Sequence, residues 1–298
     1  MPVTCLIDDL VAKGPVLTDG AWGTELQARG LPPGDIGDVW NLAYPERVEE
    51  VARAYVDAGS RIILTNTFRA NRIALERHHE ESRVEEINRA GVEISRRAAA
   101  GRALVFASIG PSGKMLMAGD VNEAQLVSAF SEQAQALAAA GADALVVESM
   151  TDLVEARIAV SAAAATGLPV VACLVFDAGK HRDRTIMGIA PQTAAVELVQ
   201  AGAQVMGANC GIGVEAYIPI CAALAAATDR PIWIKPNAGL PEFVDGKSVY
   251  RMTAERFASH APALISAGAR FIGGCCGTTP EFVAALHRQL SVIESLNH

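Results

Sequence analysis

One short phrase recurs along this chain and fixes most of what it can become. It reads Ala58-Gly59 before Arg61-Ile62-Ile63-Leu64, and Ala140-Gly141-Ala142 before Ala144-Leu145-Val146-Val147. It returns as Ala201-Gly202-Ala203 before Val205-Met206, and as Ala267-Gly268-Ala269 before Phe271-Ile272. Each time an alanine-rich amphipathic stretch runs into a glycine, and a short β-prone apolar run follows. The physical reading is a helix ended by a glycine in the left-handed conformation, then a buried parallel strand.

Four further apolar runs complete the set: Val16 to Thr18, Leu104 to Ala107, Pro169 to Val175 and Pro231 to Ile234. The eight starts lie about 25 to 45 residues apart, room for one helix and its loops each time. Helices are expected over 45–57, 122–140, 152–166, 191–201, 215–227 and 253–267, several of them opened by a capping residue or a proline. The segment from Gly30 to Gly37 reads as a long loop after the first strand. Eight βα units in 298 residues, with no linker rich in proline or serine, predict one (βα)8 barrel spanning 1–298, its active site at the carboxyl ends of the strands. A doubly wound open sheet is the alternative, because a count of strands does not establish closure.

The expected strand ends carry chemistry. Cys210 closes the sixth strand, and Cys275 and Cys276 close the eighth within Gly273-Gly274-Cys275-Cys276-Gly277. A vicinal pair does not readily close a disulfide on itself, but its two sulfurs can take two corners of a tetrahedron. The flanking glycines permit the tight backbone this needs. Three thiolates on Zn²⁺ leave one coordination position open, and such an electron-rich centre holds an incoming thiol as a nucleophilic thiolate. The chemistry implied is alkylation of a thiol. The competing reading, three small buried thiols packed as hydrophobes, is kept for Cys5, Cys173 and Cys221, which fall before the first strand, inside the fifth and inside a helix.

Composition removes other classes. The formal charge of −8 offers no basic block for a nucleic acid or an anionic membrane. No apolar stretch is long enough for a membrane span. The start, with Asp8 and Asp9, lacks the basic head and apolar heart of an export signal. A cytoplasmic setting follows as the expectation, where six cysteines read as thiols or metal ligands and not as disulfides.

The strings Asp19-Gly20-Ala21-Trp22-Gly23-Thr24-Glu25, Thr65-Asn66-Thr67-Phe68, Glu148-Ser149-Met150-Thr151-Asp152, Gly207-Ala208-Asn209-Cys210-Gly211, Pro236-Asn237-Ala238-Gly239-Leu240-Pro241 and Gly273 to Pro280 together resemble the homocysteine S-methyltransferase family. That family includes the homocysteine-binding module of cobalamin-dependent methionine synthase, betaine-dependent enzymes and S-methylmethionine-dependent enzymes. The motifs keep the family order from Asp19 to Pro280. The resemblance implies a barrel in which Cys210, Cys275 and Cys276 bind zinc and the zinc binds the homocysteine thiolate. It implies that Glu148 takes the substrate ammonium and that Asp19 and the Gly20 backbone help hold the amino-acid end. Asn209 and Asn237 flank the expected mouth, as substrate contacts or as loop braces.

The resemblance also bears on the methyl donor. Betaine-using members cradle the quaternary ammonium with aromatic rings, as cation–π physics requires. Here Ser149 and Arg69 stand at two of those places, which disfavours betaine even if Trp22 or Trp40 supplied a wall. The strings around Asn66 and Glu148 look more like the cobalamin-linked members, yet the chain has no Asp-x-His-x-x-Gly motif. The expected donor is thus a methyl-corrinoid on a separate protein, or S-methylmethionine. The rival readings are transfer to another small thiol or selenol, and a thiol- or metal-binding barrel without turnover. The sequence leaves open whether the barrel acts alone or as a homo-oligomer. Gly110 to Met115 lacks the residues of a phosphate loop. His78 and His79 read as a solvated helix face, and 80–89 as a charged surface over Val84 and Ile87.

Overall fold

A computed structural model of the chain describes residues 3–244 and 247–296. Eight parallel strands form one sheet: β1 (Val16–Leu17), β2 (Ile62–Ile63), β3 (Leu104–Ile109), β4 (Ala144–Met150), β5 (Val170–Leu174), β6 (Val205–Cys210), β7 (Ile232–Pro236) and β8 (Ala269–Ile272). Neighbours in sequence are neighbours in the sheet from β2 to β8, and β8 pairs in turn with β1. The seam between β1 and β2 is drawn shut by other means. The Arg61 N–H donates to the Leu17 carbonyl at 2.9 Å, the Ser60 hydroxyl donates to the Thr18 carbonyl at 3.3 Å, and the Leu64 N–H donates to the Asp19 carboxylate at 2.7 Å. The sheet is therefore a barrel and not an open doubly wound layer.

The recurring glycines behave as their sequence context demands. Gly59, Gly141, Gly202 and Gly268 have φ of 104°, 88°, 116° and 110°, the left-handed region that ends a helix without a Cβ clash. Helix Pro45–Asp57 opens on its proline and buries Val48, Val51, Ala52, Tyr55 and Val56, a spacing of three and four residues along one face. Helix Glu123–Ala139 starts from an Asn122–Gln125 capping box, and helix Leu153–Ala164 from the Asp152 carboxylate, which accepts the Val154 N–H at 2.8 Å.

Two local expectations change. The stretch 253–267 is two short helices, Ala254–Ala258 and Ala261–Ser266, because Pro262 opens a new first turn. His78 and His79 lie in a turn after helix Arg72–Glu76, with His79 at φ 59°, and not on a helix face. The expected loop holds from Gly30 to Ile36, with helix Trp22–Ala28 between it and β1 and a short 3-10 turn beginning at Gly37. Val84 and Ile87 do lie buried beneath their charged neighbours, on helix Val84–Ala99.

Strand alternation divides the core. Val16, Ile62, Leu64, Phe106, Ala144, Val146, Val171, Cys173, Val205, Trp233 and Phe271 pack together inside the barrel. The residues of opposite parity, among them Val105, Leu145, Ala172, Met206 and Ile234, pack in the layer shared with the helices. Trp233 stacks between Phe106 and Phe271 at centroid distances of 6.1 and 5.2 Å. Helix Val3–Val11, which the sequence reading did not assign, inserts Ile7 and Leu10 into the same interior cluster. The Cys5 side chain lies outside the described residues. Cys173 belongs to the interior cluster. Cys221 is buried on helix Val214–Ala227, with its sulfur 3.6 Å from the Ala267 carbonyl. Among the described residues, no helix is long and apolar enough to cross a membrane.

Candidate metal centre

Continuing the inward parity toward the carboxyl ends of the strands replaces the apolar filling with polar groups. Ser108 follows Phe106 on β3, Glu148 follows Val146 on β4, and Lys235 follows Trp233 on β7. On β6 the series Val205, Gly207, Asn209 does the same. All four polar residues are buried: Asn209 completely, Glu148 at 8% exposure. Period-two geometry thus makes the floor of the mouth.

By that rule Cys210 and Ser149 should face the helices, since each follows an inward residue. Both leave the extended conformation instead. Ser149 has φ 59° and Cys210 has φ 64°, left-handed backbone that costs a non-glycine residue about 1–2 kcal/mol. The departure brings Cys210 Sγ to 3.0 Å from Cys275 Sγ and 3.5 Å from Ser149 Oγ. Asn209 ties the two turns together. Its Oδ1 accepts the Ser149 N–H at 2.8 Å, and its Nδ2 donates to Ser149 Oγ at 2.7 Å while facing both cysteine sulfurs at 3.5 and 3.8 Å. Asn237 braces the other side: its Nδ2 donates to the Gly211 carbonyl at 2.7 Å, and its Oδ1 is buried with no hydrogen-bond partner.

The vicinal pair is held by close backbone approach. The Cys275 N–H donates to the Pro236 carbonyl at 2.8 Å, and the Cys276 carbonyl accepts the Ala238 N–H at 2.9 Å. A Cβ on Gly273 would overlap Thr18 Oγ1, and one on Gly274 would overlap the Thr278 side chain. These glycines are what let β8 leave the barrel and turn both cysteines toward β6. The sulfurs of Cys210, Cys275 and Cys276 lie within 4.8 Å of one another. A tetrahedral site with Zn–S bonds of ~2.3 Å sets its sulfurs roughly 3.8 Å apart, so the trio fits such an ion. Without one, the three thiols share protons. Hydrogen bonds from Cys210 and Cys275 push Cys276 down to about 3. Cys210, bonded to both neighbours and buried, is pushed well above the ordinary thiol range. Cys275 is pulled down by its bond to Cys210, but its bond to Cys276 and its burial leave it at about 12. Three donor sulfurs this close together make a site that favours a thiophilic cation.

Below the cysteines lies a buried charged group. The Asp19 carboxylate is fully enclosed; it pairs with the Lys235 ammonium and accepts hydrogen bonds from the Trp22 indole and the Leu64 N–H, both at 2.7 Å. Glu148 accepts a hydrogen bond from the Ser108 hydroxyl and lies 3.5 Å from Asn209 Nδ2. Burial pushes the Glu148 carboxyl up to about 7, against the pull of Lys235. For Lys235 burial opposes the charge, but Asp19 and Glu148 outweigh it and hold the ammonium above its ordinary range. Gly20 has no room for a side chain: a Cβ would come 2.7 Å from the Thr278 carbonyl and 2.8 Å from the Tyr55 ring. The sequence reading missed Ser108, Lys235 and Tyr217. The first two were legible as inward-parity polar residues ending apolar runs. Tyr217, mid-helix, gave no signal.

Trp40 is buried and carries the Arg47 guanidinium 5.3 Å from its ring centroid, while the Arg69 side chain is exposed. Two clefts, of about 460 Å³ near Ile7 and Arg270 and about 690 Å³ near Arg89 and Glu132, lie away from the cysteines and contain none of these groups.

A model of the homocysteine S-methyltransferase family matches residues 16–290. Among curated proteins, the methionine synthase of Mycobacterium tuberculosis (strain ATCC 25618 / H37Rv) is 28% identical over 294 residues, covering 92% of this chain and 24% of the relative. The methionine synthase of Mycobacterium leprae (strain TN) is 26% identical over the same shares. The chain thus spans about a quarter of the length of these relatives. A solved structure of the homocysteine methyltransferase MmuM from Escherichia coli, in its metallated form, superposes with a TM-score of 0.77 at 25% identity. It covers 97% of this chain and 100% of that one. With the family match running from the first barrel strand into the last helix, the chain belongs to the homocysteine S-methyltransferase family of enzymes.

Proposed function

We propose that the chain is a cytoplasmic, zinc-dependent enzyme that transfers a methyl group to the thiol of L-homocysteine, giving methionine. The observation that carries this reading is the trio of cysteine sulfurs within 4.8 Å at the mouth of the barrel, beside a buried carboxylate. Cys210, Cys275 and Cys276 would hold the ion. Bound there, zinc supplies a substrate sulfur that is deprotonated and nucleophilic at neutral pH.

The chain's own groups do the rest. Glu148, steadied by Ser108, receives the substrate ammonium. The Gly20 backbone, with Asn209 and Asn237, borders the amino-acid end. Asp19 fixes Lys235, the Trp22 indole and the seam between β1 and β2, and its Oδ1, which accepts from Lys235 alone, keeps acceptor capacity for the amino-acid end of the substrate. In the transfer itself the new S–CH₃ bond forms as the donor's bond to that methyl breaks, and the bonding pair leaves with the donor. The barrel's contribution is alignment of sulfur and methyl.

The donor is a methyl-corrinoid carried outside this barrel, or S-methylmethionine. Ser149 is drawn into the cysteine cluster and Arg69 is exposed, which supports the reading against betaine. Met115, Met117, Ile186, Leu240 and Phe243, each more than half exposed, lie in the segments that follow β3, β5 and β7. Exposed apolar side chains on the segments that leave the carboxyl ends of the strands suit a bulky, carrier-borne donor better than a small zwitterion. The test is a donor panel with zinc-loaded protein and homocysteine: methyl-corrinoid protein, methylcobalamin, S-methylmethionine, betaine, S-adenosylmethionine and methyltetrahydrofolate, read as methionine formed. Methionine from the corrinoid or from S-methylmethionine is expected. Stoichiometric metal with no methionine from any donor would favour a thiol-binding barrel without turnover.

A further inference from the structure

Two residues at the mouth hold backbone that glycine adopts freely, and only one of them is a cysteine. The other is Ser149, the residue after Glu148 on β4, with φ 59°. A glycine would take that turn without strain, so what the serine adds is its hydroxyl.

The direction of its hydrogen bonds follows from its neighbours. The Ser149 N–H can only donate, and Asn209 Oδ1 accepts it at 2.8 Å. That fixes the Asn209 amide with its nitrogen toward the serine hydroxyl, where Nδ2 donates to Oγ at 2.7 Å. The hydroxyl oxygen therefore accepts from Asn209 and has its own proton left to give. Among the described residues, the acceptor placed for that proton is Cys210 Sγ, at 3.5 Å. A sulfur that ligates a metal is deprotonated and can only accept, so the order Asn209 to Ser149 to Cys210 runs one way. The second Nδ2 proton of Asn209 faces Cys210 Sγ and the Glu148 carboxylate, both at 3.5 Å, and Cys275 Sγ at 3.8 Å. Cys210 is thus the sulfur on which both donors converge.

A centre that alkylates a thiol holds its own thiolates within reach of the same electrophile. Cys210 is only partly buried, so burial alone does not keep a methyl donor from it. Methylation would turn that ligand into a neutral thioether and spoil the centre. The nucleophilicity of a thiolate falls as its basicity falls, and a donated hydrogen bond lowers both by drawing charge from the sulfur.

We propose that Ser149 is a specificity-determining positioning residue whose hydroxyl caps the Cys210 sulfur, so that methyl goes to the substrate thiolate and not to the metal ligand. This rests on the proposed metal site and thiol methylation, and adds to them how the centre is spared its own reaction.

Ser149→Ala and Ser149→Gly both delete the hydroxyl. The glycine form also accepts the left-handed turn, which separates the hydroxyl from the backbone. Each protein is loaded with one equivalent of zinc and exposed to iodomethane without homocysteine. Attack forms the S–CH₃ bond as the C–I bond breaks, and iodide leaves with the bonding pair. Peptide mass spectrometry after quenching locates the methyl. Methylation of Cys210 is expected to quicken about tenfold in both variants, the scale of one hydrogen bond to a charged group. Cys221, buried on its helix, is the reference thiol and should not change. In the cobalt-loaded variants the sulfur-to-metal charge-transfer absorption is expected to move to longer wavelength. An unmoved Cys210 rate or an unshifted absorption in the folded variants overturns the inference. So does an equal rise at Cys221, which marks a loosened fold. Protein that takes up neither zinc nor cobalt overturns the metal reading and the cap with it. Zinc-loaded wild type that methylates no homocysteine from any donor overturns the proposed function alone, and the iodomethane rates still decide the role of Ser149.

Discussion

The Tyr217 hydroxyl donates to the backbone carbonyl of Asn209 at 2.7 Å, one residue before the cysteine that ends β6. The same ring lies where any side chain at position 211 would have to go. Tyr217 therefore holds the left-handed turn at Cys210 and Gly211 from outside the barrel, as a metal ligand's supporting partner does. Tyr217→Phe keeps the ring and deletes one buried hydrogen bond. A loss of about 1 kcal/mol in urea denaturation is expected, together with about tenfold weaker zinc retention against a competing chelator.

Cys276→Ser replaces one sulfur by a poor zinc ligand of similar size. Zinc content of the purified, reduced protein should fall from one equivalent to a small fraction, and methionine formation should fall with it by roughly a thousandfold, the ~4 kcal/mol scale of a lost catalytic group. The fold should survive, because Cys276 is only partly buried and its backbone bond to Ala238 is retained. A variant with full metal and full turnover would remove Cys276 from the ligand set.

Gly273→Ala tests the close approach that lets β8 turn its cysteines toward β6. The added methyl would overlap Thr18 Oγ1 and lie 2.6 Å from the Asp19 carbonyl. Overpacking of this kind costs about 1–3 kcal/mol, read as a lower denaturation midpoint. Because Asp19 and Cys275 adjoin the displaced strand, metal affinity should drop as well.

Glu148 makes stability depend on pH in a stated direction. Its carboxyl is raised by burial from 4.5 to about 7, so between those values the native protein keeps a proton that the unfolded chain has released. That stabilising proton is fully effective below pH 4.5 and is lost as the pH rises through about 7. The amount at stake is on the order of 3 kcal/mol. In metal-free protein, Glu148→Gln should therefore gain stability relative to wild type on going from pH 5 to pH 8. In the zinc-loaded enzyme kcat/KM for homocysteine should rise with pH through the same region, and that limb should disappear in Glu148→Gln.

Much of this protein was legible as a string of residues. The phrase ending in Gly59, Gly141, Gly202 and Gly268 named the helix stops, because only glycine takes that backbone without strain. The apolar runs after those stops named the strands, and their inward parity, read one step further, would have named Ser108 and Lys235. Cys275 and Cys276 were marked by glycines on either side, and Cys210 by the glycine that follows it. What the sequence could not decide is whether β1 would find β2. That closure is made by long-range hydrogen bonds, Arg61 N–H to the Leu17 carbonyl and Leu64 N–H to Asp19 across 45 residues of chain. Nor could it show that Ser149 and Cys210 both abandon strand geometry, since left-handed backbone at a non-glycine residue has no local signature and is imposed by Asn209, Tyr217 and the packed barrel around them. Periodicity settled the elements because it is a property of neighbours in sequence. The candidate metal centre belongs to the tertiary structure because its three sulfurs and the carboxylate beneath them meet only when the barrel is closed.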